Sequence, residues 1–87
     1  MTAVEYAKFI LKNEGHVGWI IKVGNYSDAY CWRDEKEITI NERLKNNISL
    51  LIHEIAHIDT ELGNDQHNGL WGDRYTYLVD KYLTQPR

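Results

Sequence analysis

At 87 residues the chain is long enough for a single domain, residues 1–87, and too short to hold two hydrophobic cores. A hydrophobic share of 43% with three Trp and six Tyr suits a globular core and argues against a disordered or low-complexity chain. The net charge of −3 offers no basic face, so neither intrinsic nucleic-acid binding nor adhesion to anionic membrane is expected. Met1-Thr2-Ala3-Val4-Glu5-Tyr6 lacks the basic and apolar regions of a signal peptide, and no run approaches the roughly 18 apolar residues of a membrane span. A cytoplasmic location is the expectation, and the single cysteine, Cys31, fits a reducing compartment.

Thr2 followed by Glu5 has the form of a capping box, and Val4, Ala7, Ile10 and Leu11 then recur at helical spacing. This predicts a first helix over residues 3–13, ahead of Gly15. From His16 to Val23 the apolar residues Val17, Trp19, Ile21 and Val23 alternate, Gly24-Asn25 offers a turn, and Tyr26 to Arg33 is again rich in aromatic residues. That pattern reads as a hairpin. Asp34-Glu35-Lys36 supplies a second polar turn into the short strand Glu37-Ile38-Thr39-Ile40, which has Ile38 and Ile40 on one face. Asn46 or Asn47 can cap the next helix, whose Ile48, Leu51, Ile52, Ile55, Ile58 and Leu62 keep helical spacing and stop before Gly63. Trp71, Arg74, Tyr75, Leu78, Val79 and Tyr82 indicate a last helix reaching about Leu83, ahead of Pro86. The predicted fold class is α+β, with about three antiparallel strands between an N-terminal helix and two further helices.

The second helix carries His53-Glu54-Ile55-Ala56-His57, an HExxH sequence. Positions i and i+4 lie one turn apart on one face, so two imidazoles spaced this way can bind one zinc ion. At about 100° per residue the apolar stripe centres near Ile48, Ile55 and Leu62, while His53 and His57 project from the opposite side with Glu54 on its flank. A hydrolytic zinc site needs three protein ligands and an open position for water. His67, beyond the polar loop Gly63-Asn64-Asp65-Gln66, is the natural third ligand, and Asp73 on the last helix is the alternative. Glu54 has the chemistry of a general base that takes a proton from a zinc-activated water and passes it to a leaving amine.

The competing reading makes His53, Glu54 and His57 the solvated face of an amphipathic helix. Against it stands the combination of an Ile/Leu-flanked HExxH, a sheet ahead of it and another histidine before the next helix. Cys31 has the chemistry of a zinc ligand or a nucleophile, but in the alternating run Tyr30-Cys31-Trp32 a small buried residue is the ordinary explanation. His16, with no motif around it, reads as a surface or strand-end histidine. Trp71 and Tyr75 lie on the apolar face of the last helix and are expected in the core, with Tyr77 off that stripe.

The order of helix, small sheet, HExxH helix and closing helix resembles the minimal core of the zincin metallopeptidases, and the resemblance spans most of the chain. Within them, His53-Glu54-Ile55-Ala56-His57 followed by His67-Asn68-Gly69-Leu70-Trp71 is similar to the SprT-like and WLM-type families. The resemblance implies zinc at His53, His57 and His67, a catalytic Glu54, and a peptide or protein substrate that pairs with an edge strand of the sheet. Glu37 to Ile40 is the strand expected in that role. The metzincin continuation is absent, since Thr60 stands where glycine is required and Gly63 where the third histidine is required. Cys31 lacks the glycine-flanked motif of the peptide deformylases. Two functions follow as expectations: a zinc-dependent metallopeptidase, or a zincin-like module that holds zinc for binding or regulation and cleaves nothing.

Overall fold

The computed structural model describes residues 1–60 and 69–84. The fold is α+β: three helices and a three-stranded sheet. Helix α1, Ala3–Asn13, starts at Thr2, whose hydroxyl accepts from Glu5 N at 3.1 Å while Thr2 N donates to Glu5 Oε1 at 2.9 Å, closing the predicted capping box. The helix ends where Gly15 takes φ +82°, a left-handed conformation that glycine adopts without a Cβ clash. His16 N then returns to Leu11 O at 2.9 Å, which turns Glu14 and His16 back toward the body of the protein. Ala7, Ile10 and Leu11 form the buried face of α1.

Strands β1 (Ile20–Gly24), β2 (Ala29–Trp32) and β3 (Glu37–Asn41) pair in the spatial order β1-β3-β2. β1 runs parallel to β3 and β2 antiparallel to it, so the sheet is mixed and the expected β1–β2 hairpin does not form. The strand expected at the edge, Glu37 to Ile40, is the central one, and β2 is the edge strand packed on the HExxH helix. Two forces favour this arrangement. Ile38, Thr39 and Ile40 are buried in succession, as a strand flanked on both sides requires. The loop after Gly24 is also pinned across the end of β3, where Asn41 N donates to Asp28 O at 2.8 Å and Asn41 Nδ2 to Tyr26 O at 2.5 Å. This carries β2 to the far side of β3. Asn41→Ala is expected to cost about 1–2 kcal/mol, since the Asn41 side chain also caps the 3-10 turn Glu42–Leu44 through Arg43 N at 2.8 Å. An unchanged urea midpoint would refute the pinning role.

One face of the sheet carries Ile21, Cys31, Ile38 and Ile40 inward. The other exposes Tyr30 and Trp32, whose indole Nε1 donates to Thr39 Oγ1 at 3.0 Å, beside a Lys22–Glu37 ion pair of 2.8 Å. Helix α2, Ile48–Ile58, is capped by Asn47, whose side chain accepts from Leu50 N at 3.1 Å. Its Leu51, Ile52, Ile55 and Ala56 complete the core with α1 and the sheet. Helix α3, Gly69–Tyr82, packs against α2 and contributes Leu78 and Tyr82. No helix among the described residues is long and apolar enough to cross a membrane.

Candidate metal centre

Helix α2 is covered on nearly every side. Glu54 is 4% exposed and His57 1%, which excludes the reading of the motif as a solvated face. The histidines do point away from the Ile48–Ile55 stripe, as the periodicity predicts, but α3 packs beyond them, leaving the His53 side chain 29% exposed. Trp71 places its ring centroid 4.8 Å from that of His53 and 5.6 Å from that of His57. Tyr75, one turn along, stacks on Trp71 at 5.1 Å and 11° and stands 6.3 Å from His53. The expectation that Trp71 and Tyr75 are apolar-face residues of α3 holds, and the surface they cover is the histidine pair.

The two imidazole centroids lie 5.1 Å apart. A zinc ion bound at about 2.0–2.1 Å by two imidazoles at the tetrahedral angle sets their centroids about 5 Å apart, a separation that the observed spacing matches. Glu54 lies beside His53, with Oε2 3.9 Å from His53 Nε2, and its charge is felt by Cys31 on β2. Among the described residues Glu54 Oε1 has no hydrogen-bond partner, an expensive state for a buried carboxylate. Burial pushes the Glu54 carboxyl up to about 7, and the negative charge of Asp28 adds to the rise. A cation next to the carboxylate would relieve both costs. The donor set is of a kind that fits zinc: two imidazoles one turn apart, with an under-satisfied carboxylate beside them.

Among the described residues no group of three His, Cys, Asp or Glu side chains gathers within reach of one ion. His67 lies outside the described residues. Asp73, the alternative third ligand, is exposed on α3 and does not join the histidines. Cys31, 1% exposed on the inward face of β2, has its thiol pushed up to about 12, by burial first and the charge of Glu54 second, with Arg33 opposing. A thiol so held is protonated at neutral pH, which agrees with a packing role and not with that of a nucleophile.

The chain pattern alone does not disclose what holds α3 over the histidines. Glu14 receives hydrogen bonds from Arg74 Nη2 at 2.9 Å on Oε1 and from Lys81 Nζ at 3.0 Å and Tyr82 OH at 2.5 Å on Oε2. Arg74 Nε also meets Asp59 Oδ2 at 2.6 Å, at the end of α2. His16 is half-buried in the turn before β1, not at a strand end, with Nε2 3.6 Å from the same Asp59 oxygen. Burial alone would raise the Glu14 carboxyl, but the hydrogen bonds from Tyr82 and Lys81 and the charges of Lys81 and Arg74 outweigh it and hold it at about 2. The spacing of Arg74, Tyr77 and Lys81 on one face of α3 signals an acidic partner, but no local signal identifies Glu14.

The chain matches no protein-family model, no curated protein and no solved structure.

Proposed function

We propose that the protein is a zinc-dependent metallopeptidase of the zincin type, with zinc held by His53, His57 and His67 and Glu54 as general base. The observation that carries the reading is the pairing of buried His57 with partly exposed His53, ring centroids 5.1 Å apart, with the under-satisfied Glu54 beside them. The element order helix, sheet, HExxH helix, helix supports it too. When bound, zinc supplies the Lewis acidity that makes water a nucleophile near neutral pH and polarises the scissile carbonyl. Glu54, whose ordinary carboxyl value of 4.5 is raised to about 7, is suited to accept a proton from the attacking water and return it to the departing amine at neutral pH. Strand β2, at the edge of the sheet and packed on α2, is the element of this reading that pairs with an extended peptide. Trp71 and Tyr75 pack against the histidines and shield them in part from water.

Metal analysis of the purified protein tests the ligand set. Wild type is expected to carry one zinc per chain, with hydrolysis of an unfolded protein substrate lost on chelation and restored by zinc. His67→Ala is expected to lower zinc affinity by at least about 100-fold, because it removes one of three ligands, while Asp73→Ala leaves it unchanged. Full zinc affinity in His67→Ala would remove that residue from the site. Absence of zinc from the wild type would sink the whole reading.

A further inference from the structure

We propose that Trp71 is a positioning residue: its indole fixes the orientations of the His53 and His57 imidazoles and so makes α3 part of the metal centre. The inference rests on the zinc reading, since the side chains it orients are the proposed ligands. A histidine on a helix turns broadly about its terminal torsion, whereas a ligand pair must hold its nitrogens within about 0.5 Å of the productive geometry. The two rings project off α2 toward another helix, so their orientation is set from outside α2. Trp71 is placed to do this for both at once. It meets His53 at 62° and 4.8 Å and lies tilted at 33° over His57 at 5.6 Å, a different approach to each ring from one rigid surface.

The indole is in turn held from behind. Tyr75 stacks on it at 5.1 Å, and Arg74, the neighbouring residue, ties this turn of α3 to Glu14 at 2.9 Å and to Asp59 at 2.6 Å. Trp71 Nε1 also donates to the carbonyl of His53 at 3.4 Å, a long and therefore weak bond. Ring packing on both imidazoles is the contact proposed to orient them, which separates a flat aromatic side chain from an aliphatic one that merely fills the core.

The test compares zinc affinity, by competition with a chromophoric chelator, with the imidazole NMR resonances of His53 and His57 in the metal-free protein. Trp71→Leu is expected to weaken zinc binding about 10- to 100-fold and to shift both imidazole resonances, as loss of an orienting partner does elsewhere. Trp71→Phe should recover affinity to within about threefold, because a ring is restored without the weak hydrogen bond. Val79→Ala, a partly buried site on α3, should lower the melting temperature and leave both readouts in place. Tyr75→Leu strips the backing ring and should give a smaller loss in the same direction, which keeps the proposal open to refutation if Trp71→Leu does not fold. Wild-type zinc affinity and unshifted imidazoles in Trp71→Leu, or in Tyr75→Leu where the former is unfolded, would overturn it, as would an equal affinity loss in Val79→Ala. If the wild type itself binds no zinc, the metallopeptidase reading is what fails, and the wild-type titration shows this before any variant is compared.

Discussion

Glu54→Gln is expected to retain zinc and to lower peptide hydrolysis by about 10²- to 10⁴-fold, the range that a lost general base commands. Glutamine keeps the shape and reach of the side chain, so the His53–His57 pair 5.1 Å apart should stay in place, but an amide cannot accept the proton. The same substitution should raise the stability of the metal-free protein. A carboxyl raised from 4.5 to about 7 on folding favours its protonated form, so its contribution worsens as pH climbs from about 4.5 through 7 and stays unfavourable above. Neutral glutamine lacks that penalty, and metal-free Glu54→Gln should melt above the metal-free wild type at pH 8. Undiminished hydrolysis by the variant would end the mechanism. A cellular effect that survives the substitution with zinc still bound would point instead to the silent zinc-binding module.

Glu14→Ala is expected to be the most damaging change outside the apolar core, at about 2–3 kcal/mol, or about 10–20 °C in melting temperature for a domain of this size. The Glu14 side chain is only 5% exposed, and its removal takes one acceptor at once from Arg74, Lys81 and the Tyr82 hydroxyl, leaving Arg74 with Asp59 as its one carboxylate partner among the described residues. The pH dependence has a definite sign. A carboxyl held at about 2 against an ordinary 4.5 stabilises the fold fully above pH 4.5, and that stabilisation is lost as pH falls from 4.5 toward 2. The full shift is worth about 3 kcal/mol, and about 2 kcal/mol after allowance for water around Arg74 and Lys81. Denaturation midpoints measured from pH 6 to pH 2.5 should therefore fall more steeply in the wild type than in Glu14→Ala. Parallel curves would show that the clamp contributes nothing. Because Glu14 holds Arg74, and Arg74 neighbours Trp71, the clamp also bears on how firmly α3 covers the histidines.

Local signals in the chain were reliable where a few neighbouring residues decide the outcome. The Thr2/Glu5 box and the Gly15 stop mark α1 to the residue, and Asn47 marks the start of α2. Strand pairing was misread for a physical reason: Gly24-Asn25 specifies a reversal, not the strand that receives it. The choice was made by Asn41, which pins the crossing loop, and by the burial of Ile38-Thr39-Ile40. Strand β1 also begins later than its alternation suggests, at Ile20, because Gly15 and Gly18 take positive φ in a turn that occupies residues 15–18.

The sequence by itself determined the presence and order of the helices, though α2 ends at Ile58, short of the expected stop before Gly63, together with the three extended segments and the spacing that puts His53 and His57 on one side of α2 with Glu54 beside them. These follow from caps and periodicity, which act over a few residues. Only the tertiary structure decided that this side is buried, that β2 and not β3 is the edge strand beside it, and that Glu14 clamps α3 in place. Each of these depends on which distant surface removes a side chain from water, and periodicity within one element carries no information about its partner. Helix α2, read alone, has a polar face; packed against Trp71 and Tyr75, the same face loses most of its contact with water at Glu54 and His57.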